Sequence, residues 1–339
     1  MKIVLFTPAE ATSRWAAKPG ILTDSGVVDA SPVMLDPAFA PTSAMEAQRV
    51  MTDLIDRYDS LKPALEQLAH SGPALPLDAV RLLPPLPRPG KIANCLANYW
   101  EHAQREARPL NMFLKNADAV IGPGDTIELP DFTEPYAFMH EAELALVFKG
   151  PAKRIAQENW RDAIFGYTCF MDITARESGR RTWRNNSWMG KSFDTFAPLG
   201  PCIVTADEIK NPNDLWVQFW NDGQLRHNYL TDDMEHPVPE IVEFVTTIMT
   251  MNSGDVVACG TNHEGLGFVQ DGETLKIEIH GIGAFEVNVR DPLKREWERG
   301  VYMGEGSTNH EAVKRNRPDA APTDGAVPRA IPGTDTAHG

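Results

Sequence analysis

Cysteine is scarce in this chain, and the four present, Cys95, Cys169, Cys202 and Cys259, stand far apart with no C-x-x-C pair. That spacing excludes a zinc ribbon, an iron–sulfur cluster or a redox dithiol, and leaves four core thiols of a reducing compartment. No apolar run approaches the roughly 18 residues that a membrane helix needs. The opening MKIVLFTPAEATSRW places one lysine before an apolar stretch too short for the core of a secretory signal. The expectation is therefore a cytoplasmic protein. Basic blocks are also missing: 47 acidic residues face 32 basic ones, for a formal net charge of -15. That sign speaks against nucleic acid and membrane surfaces as partners, and it requires a local cation wherever an acidic ligand binds. Finally, no G-x-S-x-G elbow, G-x-G-x-x-G turn, P-loop or H-E-x-x-H occurs, which weakens serine hydrolase, dinucleotide dehydrogenase, kinase and zincin readings.

The length, 339 residues, suggests two domains with a sizeable core. MKIVLF reads as a strand and GILTDSGVVDAS as a hairpin turning at Asp24-Ser25-Gly26. Ser43 and Glu46 form a capping-box signature ahead of Val50, Leu54 and Ile55 at helical spacing. Pro63 is expected to end that helix, with a second short one running to about Gly72. Five prolines in LPLDAVRLLPPLPRPGK, residues 75–91, mark an interdomain linker, so a small N-terminal α/β domain is expected over 1–90. From there to residue 300 short strands dominate, with one helix over Pro239–Thr250 and a closing hairpin in TLKIEIHGIGAFEVNV. Residues 301–339 lose periodicity and read as an extended, mobile tail. The fold class is α+β, mostly β.

The sharpest chemical signal is MHEAELALVFKG, residues 139–150. As a strand it sends Ala142, Leu144, Leu146 and Phe148 to one face, and Glu141 and Glu143 together to the other. Two carboxylates side by side repel unless a cation lies between them or water solvates both. A third carboxylate, Asp172, ends the apolar run FGYTCFM, where burial demands a partner. Three oxygen donors without clustered Cys or His suit a hard ion, Mg2+, Mn2+ or Ca2+, better than zinc. Spacing alone equally allows an Asp172–Arg176 ion pair.

The runs FLKNADAVIGPGDTIELP, HEAELALVF, FGYTCFMDITAR, GKSFDTFAPLGPCIVTADEI and GDVVACGT resemble the fumarylacetoacetate hydrolase family, in order, over roughly residues 90–290. The resemblance implies that family's mixed β-sandwich roll in residues 91–300 and a homodimer. Its E-x-E plus distant Asp implies Glu141, Glu143 and Asp172 as ligands of Mg2+, or of Mn2+ or Ca2+. Gly190–Phe196 is similar to the family's fingerprint, whose lysine implies Lys191 as the local cation that stabilises an enolate. Asn98–Glu106 resembles the lid segment and implies His102 and Glu106 as the water-activating pair, although Glu106 follows His102 by four positions where the family has three. Cys259–Gly267 resembles the T-G-T-P loop and implies substrate contacts from Thr261, while Asn262 replaces the proline and His263 is an added titratable group. Arg176 joins Thr261 and His263 as a candidate substrate contact. Two family glutamines are replaced by Gly179 and His227, and the arginine-rich insert 177–186 reads as a substrate lip or a solvated loop.

Taken together, the resemblance implies metal-dependent hydrolysis of a carbon–carbon bond in a small anionic diketo acid, an acylpyruvate. Two alternatives remain: decarboxylation, isomerisation or hydration of a 2-oxo acid on the same metal–enolate site, and a non-catalytic, metal-stabilised binding protein.

Overall fold

The computed structural model describes residues 1–36, 39–101, 105–131, 136–177, 189–304, 307 and 309. Among them, strands dominate and helices are few, as the α+β, mostly β reading expects. Twelve strands form one sheet. At its centre lie Ala197–Thr205, Ile164–Met171 and Ala142–Phe148, each buried along its whole length. Near-continuous apolar runs suit such positions, because both faces are covered. Alternation survives within the burial. Leu144, Leu146 and Phe148 share a core with Phe219, Ile277 and Val287 of a second, five-stranded sheet. Ala145 and Val147 face the opposite core, with Leu54, Ile55 and Leu65 of the long helix.

The N-terminal elements join this sheet directly. Lys2–Pro8 pairs with Ala197–Thr205 on one side and with Lys18–Thr23 on the other. The expected hairpin is present, Lys18–Thr23 against Gly26–Asp29, and Gly26 turns it at φ +126, where a side chain would be strained. The segment 75–91, read as a linker, contains the strand Val80–Leu83, which pairs with Lys2–Pro8. The closing hairpin is Thr274–Ile279 with Gly283–Arg290, and the later helix spans Val238–Ile248.

One expectation is corrected. Pro63 does not end a helix; a single helix runs Ala44–Ser71 through it. Proline in a helix interior costs about 3 kcal/mol. Leu61 and Leu65 nevertheless continue the buried stripe of Leu54, Ile55 and Tyr58, and burial of each large apolar side chain returns about 1.5–3 kcal/mol. The N-terminal cap also differs in detail: Ser43 accepts the Glu46 N–H, while the Glu46 carboxylate takes the N–H of Thr42. No helix among the described residues is long and apolar enough to cross a membrane. Of the segment read as a tail, Val301 bridges Gly267 and Asn309 donates to the Glu264 carbonyl. Residues 310–339 and most of the insert 177–186 lie outside the described residues.

Candidate metal centre

Antiparallel register builds the site. Ala142 pairs with Met171, which sets Glu141 and Asp172 opposite each other at the end of the two central strands. The Asp172 N–H closes that end onto the Glu141 carbonyl at 3.0 Å. Glu143, two residues along, projects from the same face as Glu141. One ligand atom from each of Glu141, Glu143 and Asp172 lies within 4.8 Å of the others, and all three residues are buried.

Two ammonium groups reach this cluster. Lys191, from a short helical turn, places Nζ 2.7 Å from Glu141, 2.8 Å from Asp172 and 2.6 Å from the Thr174 hydroxyl. Lys115, at the end of the strand Met112–Lys115, donates to the other Asp172 oxygen and is fully buried. Arg176 lies at the edge, 3.5 Å from Glu141 and half exposed. The ion pair allowed by spacing, Asp172–Arg176, is therefore not the one formed, since the two lysines claim Asp172.

The charges respond unequally. Burial would raise the Glu141 carboxyl, but Lys191, His263 and Arg176 outweigh it and hold it at about 2. Glu143 is pushed far above the usual carboxylate range by burial and by Asp172 and Glu141 beside it. Among the described residues it takes one N–H, from Gly260 at 2.7 Å, and no cation bonds to it. Lys191 is held above its ordinary value because Asp172 and Glu141 overcome its burial, whereas burial pulls Lys115 down. Three carboxylates against two ammonium groups, with one carboxylate lacking a counter-charge, fit a hard divalent ion. Such an ion would turn the negative deficit into the positive field that an acidic substrate needs.

The loop after the strand Val256–Ala258 closes the site from the other side. Gly260, at φ +87, turns its N–H to Glu143, and a Cβ there would come 3.2 Å from that of Asn98. The Thr261 hydroxyl accepts the Ala142 N–H between the two glutamates at 3.3 Å. His263 is bonded through Nδ1 to Glu101 at 2.6 Å. His227 is fully buried against His140, Nε2 to Nδ1 at 3.0 Å, and burial lowers it to about 4.

The structure thus brings together Glu141, Glu143, Asp172, Lys191, Thr261 and His263, with Arg176 at the edge. His102 lies outside the described residues, and Glu106 is exposed. Two site residues were missed from sequence. Lys115 lies within the run FLKNADAV but is flanked by apolar residues, like any lysine of an edge strand. Glu101 sits one position before the expected histidine, and its partner lies across the fold.

The model of the C-terminal region of fumarylacetoacetate (FAA) hydrolase matches residues 91–290. The chain belongs to this family. Among FAA hydrolase relatives, the maleylpyruvate hydrolase of Aquipseudomonas alcaligenes is 32% identical over 253 residues, 70% of this chain and 85% of that protein. The oxaloacetate tautomerase YisK of Bacillus subtilis is 33% identical over 221 residues, 61% of this chain and 72% of its own. The crystal structure of maleylpyruvate hydrolase from Sphingobium sp. SYK-6, in complex with a manganese(II) ion and pyruvate, superposes with a TM-score of 0.73. It is 30% identical and covers 86% of this chain and 99% of that one. Relatives and structural neighbours of this chain are thus named as hydrolases, tautomerases and isomerases.

Proposed function

We propose that this chain is a divalent-metal-dependent hydrolase that cleaves the carbon–carbon bond of an acylpyruvate, a 1,3-diketo acid of the maleylpyruvate or fumarylpyruvate type. The observation that carries the reading is the buried Glu141–Glu143–Asp172 cluster with Lys191 and Lys115 bonded into it. Relatives named maleylpyruvate hydrolase support the substrate class.

Glu141, Glu143 and Asp172 would hold the ion, Mg2+ or Mn2+. When bound, it supplies positive charge for the carboxylate and keto oxygens of the substrate and for the enolate that bond cleavage releases. Lys191 contributes a fixed cation on the same side, and its three oxygen partners prevent it from swinging away. Arg176, half exposed at the rim, would meet the far carboxylate of a dicarboxylic substrate. Thr261 holds the strand between the two glutamates and so keeps their spacing. Action in the cytoplasm as a homodimer belongs to the same reading.

A second reading, keto–enol tautomerisation of oxaloacetate, is favoured by relatives of that name at similar identity. It needs a proton moved at carbon and no attack by water.

The test is product identification. Metal-stripped protein, with and without Mn2+, is offered maleylpyruvate, fumarylpyruvate, acetylpyruvate and oxaloacetate. Metal-dependent appearance of pyruvate plus a second acid, with one water added, is expected. Unchanged mass with loss of enol absorbance would give the tautomerase, loss of carbon dioxide a decarboxylase, and binding without any product a non-catalytic protein.

A further inference from the structure

We propose that Asn116 is a positioning residue of the metal centre: it ties the turn that carries Lys191 to the strand that carries Lys115, and so holds both ammonium groups on Asp172. The proposal rests on the functional reading above, in which these lysines are the fixed cations that an acidic substrate meets.

The two lysines are held by different means. Lys115 ends the strand Met112–Lys115 and pairs with Ile92, so the sheet fixes its main chain. Lys191 ends the three-residue helical turn Met189–Lys191, which joins no sheet among the described residues. Even so, both side chains meet on one carboxylate, Lys115 on Oδ1 of Asp172 and Lys191 on Oδ2, the latter at 2.8 Å. The Lys191 ammonium also lies 5.6 Å from the ring centre of Phe113, which shares a strand face with Lys115. A lysine is a point charge on a flexible four-carbon stem. Two of them converge on one group reproducibly only if their main chains keep a fixed separation.

Asn116 sets that separation. Its main-chain N–H donates to the Ser192 hydroxyl at 3.2 Å, and its side-chain amide donates to the Ser192 carbonyl at 3.3 Å. Asn116 directly follows Lys115, and Ser192 directly follows Lys191. The tie is therefore one residue from each ammonium-bearing position, and two bonds to one residue fix orientation as well as distance. The amide oxygen is also used: it accepts the Asp118 N–H at 3.0 Å and caps the turn Ala117–Ala119. That bond leaves the amide nitrogen to face Ser192. An aspartate here would keep the cap but set a second oxygen against the Ser192 carbonyl, and an alanine would keep only the main-chain bond.

Other contacts hold the chain further on. The Thr195 hydroxyl accepts the Glu128 N–H at 2.8 Å, the Phe196 carbonyl accepts the Ile173 N–H at 3.2 Å, and Ala197 pairs with Val120. These place the strand Ala197–Thr205, whereas the Asn116 bonds act beside Lys191 itself. Loss of the tie should thus loosen Lys191 and leave Lys115 in its strand. The three carboxylates that would hold the ion stay in the central strands, so acid affinity should suffer and metal affinity should not.

The first readout is amine exchange in the metal-free protein. In 15N-lysine NMR the buried ammonium groups of Lys115 and Lys191 should exchange slowly with water, each signal assigned by its loss in the Lys→Met variant. Asn116→Ala should speed the Lys191 exchange at least about tenfold and leave Lys115 within about threefold. The second readout is titration calorimetry with Mn2+ and then pyruvate. Asn116→Ala and Asn116→Asp should weaken pyruvate about tenfold, with Mn2+ affinity unchanged within about threefold. In a Lys191→Met background the same substitutions should change pyruvate affinity less than about twofold, which a general loss of structure would not do. Ser192→Ala, a milder variant that removes only the hydroxyl acceptor, should weaken pyruvate about threefold, and Ser192→Thr should restore it. Lys191 exchange in Asn116→Ala at the wild-type rate, an equal loss of pyruvate affinity in the Lys191→Met background, or no rescue by Ser192→Thr would each overturn the proposal. If the loaded wild type binds no pyruvate, the acylpyruvate reading falls, and the exchange rates still decide the tie.

Discussion

Asp172 donates its main-chain N–H to the carbonyl of Glu141 at 3.0 Å. The carboxylates before one central strand and after its neighbour are therefore set by sheet register and not by a loop. Because side chains alternate along a strand, a slip of one residue would turn Glu143 away from Asp172 and into the opposite core. The flanking residues forbid that slip: Leu144, Leu146 and Phe148 are wholly buried in one core, Ala145 and Val147 in the other. The stiffness of the site is the stiffness of the protein's interior.

From this follows a crossover in the stability of Glu143→Gln. Without metal the variant should unfold at a higher temperature than wild type, because burial and its two acidic neighbours disfavour charge at position 143 while an amide oxygen still accepts the Gly260 N–H. With Mn2+ the order should invert. Wild type gains about 2.7 kcal/mol at a metal concentration 100 times Kd, whereas the variant has lost a ligand. Calorimetric scans with EDTA and with Mn2+ check both halves; an identical response of the two proteins to metal would remove Glu143 from the ligand set.

Lys115→Met separates metal affinity from acid affinity. The ammonium is buried against Asp172 and offsets its charge. Without it the cluster is more anionic, so Mn2+ should bind about tenfold tighter, ~1.4 kcal/mol, and pyruvate should bind the loaded protein more weakly. Titration calorimetry reads both constants. Weaker binding of both would show that the side chain acts through packing and not through charge.

These residues also show how far sequence reasoning reaches. Glu141, Glu143 and Asp172 were legible because a period of two persists through a fully buried strand, and the family resemblance then supplied Lys191. Lys115 was not, since nothing in MFLK separates a lysine that ends at a carboxylate from one that ends in water. Glu101 and His263 are 162 positions apart, and a glutamate held in a left-handed turn has no local signature. Pro63 misled for a different reason: the local rule is sound, but the buried stripe on either side outweighs it.

Glu235 anchors the segment that carries Glu101. Its buried carboxylate takes the guanidinium groups of Arg105 and Arg108 and the Arg108 N–H. Burial would raise it, but those bonds hold it at about 2. A carboxyl depressed in the folded state contributes stability that is present above its ordinary value, 4.5, and lost as pH falls toward 2. Glu235→Gln should therefore destabilise by roughly 1–3 kcal/mol at pH 7 and show a shallower loss between pH 4.5 and 2. Urea melts across that range test it; parallel acid limbs would mean that Glu235 is not clamped.

The buried pair His140–His227 gives a pH dependence of the same sign in a higher window. Each ring is fully enclosed, His140 stacks on Phe219 with ring centres 4.4 Å apart, and a single hydrogen bond joins the two. Burial pulls His227 to about 4 and His140 well below its usual value. Between pH 6.5 and 4 the unfolded chain takes up a proton at His227 that the folded chain refuses. The unfolded state then binds more protons, so stability rises with pH across this window and falls on acidification, by at most about 1.4 kcal/mol per pH unit for one proton. His227→Gln keeps a partner for His140 and removes that proton from the unfolded chain. Its stability should decline less between pH 6.5 and 4 than that of wild type, while at pH 8 it should be within about 1 kcal/mol of it. Equal slopes would show that His227 takes up its proton in the folded protein as well, with Nε2 donating to Nδ1 of His140.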